Sequence, residues 1–423
     1  MSETTARPTP PFLFAFTILP FGAAVGYMSI AAPFWLQAQG VSLAAIGTVS
    51  GIALAPHAFK FAWAPLVDVG GRRKRWYLVM TALTAAVLAA LAFFRDPGRH
   101  LVAFTVLVTV AQVTSTTAAA AADGLMAVTT RPGDKGKAGG WRMAGNVGFT
   151  GVLGALAIWI ASRTSVPVAG LLLAGTVLIS LLAVLPMHEG PPPSSEGRAW
   201  LHDVGVQLGS VFRDVWATVS SRDGWTGLVI CALPVGAGAL TNLFTAMGAS
   251  YGASEDVVAW VNGLGGGIVG ALGAVLGGFL ADRMNRRLAY ALAGTVTALS
   301  AVAMLLAPLT PATYVWGTVL YSFSNGIAFA TLAAFILELV GHGPGAATKY
   351  TSFIAISNVA SSYVTTMDGW GSRLWGLEVR GMLLVDVLLT AAGIVVLLVM
   401  MFLTRHRANR PPGHPGTIAG TQA

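Results

Sequence analysis

A few ionisable side chains stand inside runs that are otherwise apolar. Lys60 lies in GIALAPHAFKFAWAPLVD, with His57 one turn deeper on the same helical face. Asp123 closes AQVTSTTAAAAAD, Glu338 ends AFILELV, and Asp386 interrupts GMLLVDVLLT. A charge placed in hydrocarbon costs about 2.5–3.5 kcal/mol on insertion scales, so buried ionisable groups are the first candidates for function. The chemistry open to them is reversible: a carboxylate takes and releases a proton, and a lysine holds an anion.

Each of these residues has a structural reading beside the functional one. Gln112, Thr116, Ala119 and Asp123 follow at spacings of four, three and four, so they line one face, too polar for lipid and suited to a cavity. Asp123 is then either a proton carrier or half of a salt bridge with Arg142 or Arg72. Lys60 sits about 12 Å from Asp68 along a helix. It either receives an anionic solute or snorkels its ammonium to the interface. Asp386 is a second proton-site candidate, and Glu338 is either interfacial or a further coupling group. Tyr321 and Asn325 share a face, as do Thr351, Asn358, Ser361 and Thr365, for solute contact or for hydrogen bonds between helices. Transport and proton coupling are therefore assigned to Asp123, Lys60, Asp386 and Glu338. The cavity candidates are His57, Gln112, Thr116, Arg142, Tyr321, Asn325 and Asn358.

The elements that must position these groups are membrane helices. The 423 residues are 55% hydrophobic and 10% charged, against about 25% charged in a soluble domain. Apolar runs long enough to cross a bilayer recur at about 12–36, 43–67, 77–94, 101–127, 141–161, 166–187, 225–248, 255–281, 288–308, 312–338, 350–370 and 381–404. The expected fold is an all-α membrane protein of twelve transmembrane helices. Residues 1–11 form an N-terminal tail rather than a signal peptide. Residues 12–187 form a first six-helix bundle, 188–223 a linker, 224–404 a second bundle, and 405–423 a disordered Pro/Gly-rich tail. In the linker, Leu201, Val204, Leu208, Val211, Phe212 and Val215 recur at helical spacing, as in a surface-lying amphipathic helix or a plain connector. Nineteen of the 25 Lys and Arg lie on one set of turns and tails. Five (Arg95, Arg99, Arg163, Arg373, Arg380) lie on the other, and Lys60 is within a span. The excess puts both termini in the cytoplasm of a bacterial-type inner membrane.

Other function classes find no support. The net charge of +8 follows membrane orientation, and no basic run interleaved with aromatics suggests nucleic acid. The seven histidines form no H-x-x-x-H or H-E-x-x-H spacing, so neither an enzyme nor a metal site is expected. No G-x-x-x-x-G-K-[ST] string marks ATP binding, and the glycine-rich GLGGGIVGALGAVLGGF follows no strand. Its Gly266/Gly270 and Gly273/Gly277 pairs have the spacing of close helix packing. Cys231 is alone.

The most specific signal is a repeat. WAPLVDVGGRRKR carries Asp68, Arg72 and Arg73, and GGFLADRMNRR carries Asp282, Arg286 and Arg287, 214 residues later (282 − 68) and at the same place in a set of six spans. Two parallel six-helix halves follow. GGFLADRMNRR resembles the signature loop of the major facilitator superfamily, matching at Gly278, Leu280, Ala281, Asp282, Arg283, Arg286 and Arg287. The first copy has Ala64 and Val69 at two signature positions. The resemblance implies two pseudo-symmetric six-helix bundles, with Asp68, Arg72, Arg73, Gly278, Asp282, Arg283, Arg286 and Arg287 as a gating latch; their plainer role would be to fix topology. Within that superfamily, the Lys60 segment, AAADGLM with GGWRMAGNVG, and ATKYTSFIAISNVAS resemble the AmpG-type muropeptide permease and acetyl-CoA transporter branch. Where that branch often has another Asp one turn before Asp123, this chain has Ala119. The fifth span lacks the Gly-Pro pair of antiporters in the superfamily, which favours symport. The expected function is proton-coupled import of an amphipathic or anionic solute such as a muropeptide, by a monomer with no cofactor beyond the coupling proton. A siderophore or acyl-CoA-type cargo is the alternative, and a membrane-embedded enzyme or sensor is a remote one.

Overall fold

The computed structural model describes residues 9–41, 49, 52, 53, 55–57, 59–69, 72–94, 96–189, 200–341, 345–372 and 377–408. The expected N-terminal tail up to residue 8, the Pro-rich stretch 190–199, part of the second span and the tail from 409 lie outside them. The described residues are helices and turns, without strands. Among the described residues, eight helices are individually long and apolar enough to cross a membrane. They are Arg73–Ala92, Leu101–Thr129, Lys135–Arg163, Val166–Ile179 with its 3-10 continuation, the span ending at Arg283, Arg286–Leu306, Pro311–Val340 and Val379–Ala408. They are the third to sixth, eighth to tenth and twelfth spans in chain order. The eleventh, Ala346–Gly371, is long but more polar.

The remaining spans are broken. The first runs as Leu13–Thr17, Leu19–Gly26, a π-helical turn Tyr27–Ala31, and Ala32–Ala38. Pro33 follows the widened turn and has no N–H to give the ladder. The second is described as a 3-10 turn Lys60–Ala62 and a helix Ala64–Val69. The seventh does not run unbroken over 225–248 as its apolarity suggests. It stops after Arg222–Ala232 and resumes in short turns from Ala239. Pro234 cannot continue it, and Gly236 and Gly238 take positive φ of 55° and 67°. The freed carbonyls are satisfied from neighbouring spans: Tyr290 donates to the Val235 oxygen, and Tyr363 to that of Ala232 at 2.9 Å.

Several helices start earlier than hydropathy suggests. The fifth begins at Lys135 and the eleventh at Ala346, against apolar runs from 141 and 350. The additional turns are polar, and their free N–H groups are capped by carboxylates from the other half of the molecule, described below.

Packing divides the molecule by depth. On the face bearing the Arg72–Arg75, Arg131–Lys137 and Arg283–Arg287 turns, here the basic face, one apolar core joins both halves. It includes Phe14, Tyr77 and Leu125 from the first half and Tyr290, Phe335 and Phe353 from the second. Towards the opposite face two separate cores replace it. One is built around Tyr27, Leu88 and Phe104 in the first half. The other is built around Phe244, Tyr314 and Leu383 in the second. The halves share a core at the basic face; beyond it their cores are separate, while the fifth and eighth spans stay in contact as far as Gly151 and Gly263.

The fifth and eighth spans make the closest crossing between halves. A Cβ on Gly140 would lie 2.7 Å from the Ala274 carbonyl oxygen, and one on Gly278 would lie 2.6 Å from that of Gly136. The eighth span's glycines serve two neighbours. Gly267 and Gly278 face the fifth span, whereas Gly273 and Gly277 press on the tenth at Phe323 and Ile327. The linker contains a helix, Trp200–Ser220, with Val211 buried and Phe212 and Trp216 exposed.

Candidate functional site

Asp123 and Arg142 form a buried two-point ion pair. Arg142 Nε donates to Asp123 Oδ1 and Nη2 donates to Oδ2 at 2.8 Å, with side chains 1% and 5% exposed. The polar face read on the fourth span thus meets the fifth. The guanidinium also stacks on Tyr350 of the eleventh span, 5.5 Å from the ring centre, and so touches the other half.

Lys60 is 5% exposed and has no hydrogen-bond or ion-pair partner among the described residues. Asp123 and Arg142 both lie within electrostatic reach of it. The three charges leave a buried excess of one positive charge. Beside them, His57 Nε2 meets Gln112 Oε1 at 2.9 Å, while Gln112 Nε2 donates to the Ala24 carbonyl at 2.8 Å. The Gln112 amide N–H is committed to Ala24, so its oxygen accepts and His57 Nε2 is the donor. Phe21 packs on the imidazole at 4.9 Å. Thr116 turns back to the Gln112 carbonyl of its own helix at 2.7 Å.

One turn along the fifth span from Arg142, Asn146 lines a cavity of about 360 Å³ between the halves. Thr150, Thr241, Asn262, Ser322 and Asn325 add polar groups to its wall. Asn325 Oδ1 is buried without a partner. The break in the seventh span presses Gly238 onto Asn325, where a Cβ would lie 2.5 Å from Oδ1. A discontinuous helix beside a polar cavity between halves is the usual setting of a solute site in secondary transporters.

The repeated turns form a reciprocal clasp. Asp68, ending the second span, accepts from Thr348 N and Thr348 Oγ1 at 2.8 Å and from Ala347 N at 3.2 Å, capping the eleventh span. Asp282, ending the eighth, accepts from Gly136 N at 2.6 Å and Lys137 N at 2.8 Å, capping the fifth. Each half caps a helix of the other with negative charge at the positive end of the helix dipole. The arginines differ between copies. Arg73 bonds Asp68 at 2.8 Å, whereas Arg286 lies 3.8 Å from Asp282, bonds Glu338 at 2.8 Å and donates to the Pro132 carbonyl at 3.0 Å. Arg287 stacks on Phe335 at 5.4 Å. Arg72 N-caps the third span's helix by position, and Arg283 closes the eighth. Lys135 adds a bond across halves to the Leu337 carbonyl at 2.7 Å.

The predicted residues therefore separate into three places. Lys60, His57, Gln112, Asp123 and Arg142 come together. Tyr321 and Asp386 meet in the second half at 3.2 Å. Glu338 stands apart at the basic face with its side chain 59% exposed, and Asn358 is exposed on the eleventh span. Sequence reasoning passed over Tyr350, Asn146, Asn262 and Asp368. Asp368 carried a partial signal, a carboxylate inside the span read at about 350–370; the tyrosine and the amides carried none without the packing.

A sequence model of the Major Facilitator Superfamily matches residues 13–366. Among solved structures, the proton:xylose symporter XylE bound to 6-bromo-6-deoxy-D-glucose aligns with a TM-score of 0.65 at 12% identity, covering 93% of this chain and 94% of that one. FucP, a transporter of the same superfamily in the outward conformation, aligns with a TM-score of 0.63 at 16% identity, covering 92% and 98%. An uncharacterized protein of Haemophilus influenzae is 35% identical over 92 residues, which span 21% of this chain and 21% of that protein.

Proposed function

The chain belongs to the Major Facilitator Superfamily, a transporter of twelve membrane helices in two bundles, and from that premise we propose that it imports an anionic, amphipathic solute together with protons. One observation carries the reading: Lys60 is buried beside the Asp123–Arg142 pair and has no partner among the described residues, leaving one positive charge unbalanced there. An anion is the ligand that balances it.

Coupling follows from competition for Arg142. An ionised Asp123 occupies the guanidinium through both oxygens. A protonated Asp123 releases it, and Arg142 and Lys60 together then hold the solute's anionic group. Proton and solute are thus taken up together. Arg142 also stacks on Tyr350 of the other half, so its change of partner is felt across the interface. With the basic face latched by Asp68 and Asp282, the solute enters from the opposite face. Rupture of the two caps then lets the halves rock.

In this reading the basic face is cytoplasmic, the membrane is a bacterial-type inner membrane, and the protein works as a monomer. A muropeptide fits the charge and amphipathic character. The test is uptake into proteoliposomes under an imposed pH gradient, against muropeptides, siderophores and acyl-CoAs. Gradient-dependent uptake of a muropeptide supports the reading. Uptake of a siderophore or acyl-CoA alone reassigns the cargo, and uptake restricted to neutral solutes overturns it.

A further inference from the structure

A second pair of carboxylates lies in the other bundle, away from Lys60 and Asp123. Asp386 stands seven residues inside the start of the twelfth span, about 10 Å along its axis. Asp368 stands three residues before the end of the eleventh. Gly371 and Gly381 bring these two helix ends together: a Cβ on Gly371 would lie 2.6 Å from the Gly381 carbonyl oxygen. Asp368 is 0% and Asp386 1% exposed, and each lies within electrostatic reach of the other.

Their surroundings supply almost nothing to balance two negative charges. Tyr321, from the tenth span, donates to Asp386 Oδ1 at 3.2 Å. Asp386 Oδ2 and both oxygens of Asp368 have no donor among the described residues. Thr318, on the same face of the tenth span as Tyr321, has a buried hydroxyl without a partner as well. Neither aspartate has an ion pair among the described residues. No charged side chain among those described faces the pair from the elements packed against it. The ninth span has no ionisable residue after Tyr290 in the chain, and the seventh has none between Cys231 and Tyr251. On the twelfth, Arg380 is exposed near the helix start and acts on Tyr251. Tyr314 is held by Asn262 and the Phe244 carbonyl.

Two buried carboxylates within electrostatic reach of each other, with no cation beside them among the described residues, do not both ionise. We propose that Asp368 and Asp386 form a shared-proton dyad, a proton-binding site in the second bundle separate from Asp123. A calcium or magnesium ion is a poorer occupant, since each needs a shell of six or more oxygens and the pair offers few. The proton bridges the eleventh and twelfth spans, and its loss places two like charges across the Gly371–Gly381 crossing. The eleventh span carries Tyr350 and the Asp68-capped turn at its other end, so the dyad acts on the same helix as the latch and the solute site. That transport consequence rests on the proton-coupled reading above; proton binding itself does not.

The test is infrared spectroscopy of the purified full-length protein at neutral pH, reading the carbonyl stretch of a protonated carboxylic acid. The wild type is expected to show this band, sensitive to exchange into heavy water. The double variant Asp368→Asn/Asp386→Asn is expected to lose it, and Asp123→Asn to keep it. Absence of the band in the wild type, which needs no variant to fold, overturns the proposal. So does a band of wild-type intensity in a folded double variant. Because no solute is present, failure here leaves the solute reading standing, and failure of uptake leaves the dyad standing.

Discussion

Asp68 accepts a hydrogen bond from the backbone N–H of Thr348 at 2.8 Å, 280 residues away in the chain. The last turn of a span in one half thereby caps the first turn of a span in the other. Asp282 does the same for the fifth span through Gly136 and Lys137. The two caps and the shared core beneath them close the basic face.

Removing a cap should therefore open it. A carboxylate N-cap contributes about 0.5–2 kcal/mol, so Asp68→Ala and Asp282→Ala are each expected to shift the population towards the state open at the basic face by roughly 2–30-fold. Distances between spin labels on the fourth and eleventh spans report it, with Cys231 buried and out of reach of the labelling reagent. An unchanged distance distribution in both variants would show that the turns set topology alone.

The fifth and eighth spans cross too closely for a larger side chain. Gly140→Val would drive a Cβ onto the Ala274 carbonyl. Overpacking of this kind costs about 1–3 kcal/mol. The variant is expected to lose the closed basic face while remaining membrane-inserted, read by reagent access to a cysteine placed at position 138, where Ala138 is now 0% exposed.

Asp123 and Arg142 are expected to respond unequally. Asp123→Ala leaves a buried guanidinium without its partner, a loss of about 3–5 kcal/mol in stability. Asp123→Asn keeps a hydrogen-bond acceptor for Arg142 and is expected to fold, bind solute and lose proton-driven accumulation. Thermal melting separates the first effect, and counterflow exchange without a gradient separates the second. Gradient-driven accumulation by the Asn variant would remove Asp123 from coupling.

Lys60→Gln keeps length and removes the unbalanced charge. Truncating one partner of a buried charge pair costs about 2–5 kcal/mol, so KM for an anionic solute is expected to rise at least about 30-fold. A neutral analogue of the same solute should be indifferent to the change. Equal weakening of both would assign Lys60 to packing.

The fold was legible because its signals are local and repeated: apolar runs, basic turns and the two Asp-x-x-x-Arg-Arg strings. The interruption of the seventh span was legible in part, since Pro234, Gly236 and Gly238 stand in plain view, but apolarity alone ran straight over them. The starts of the fifth and eleventh spans were not legible, because their caps come from Asp282 and Asp68 in the other half. The pairing of Asp123 with Arg142 was within reach as one of two readings. Tyr350 was not, because nothing in an eleventh-span tyrosine indicates the guanidinium it covers. Asp368 was overlooked at the end of its span, where a carboxylate reads as interfacial until the twelfth span is seen to bury it.

In the proposed cycle an anion and a proton are taken up together at Lys60, Asp123 and Arg142. This joint uptake is tested most directly by adding an anionic muropeptide to proteoliposomes in weakly buffered medium without an imposed gradient and following the external pH. Alkalinisation is expected to accompany uptake in the wild type and to be absent in Asp123→Asn. Uptake of the anion by the wild type with no change in external pH would contradict it.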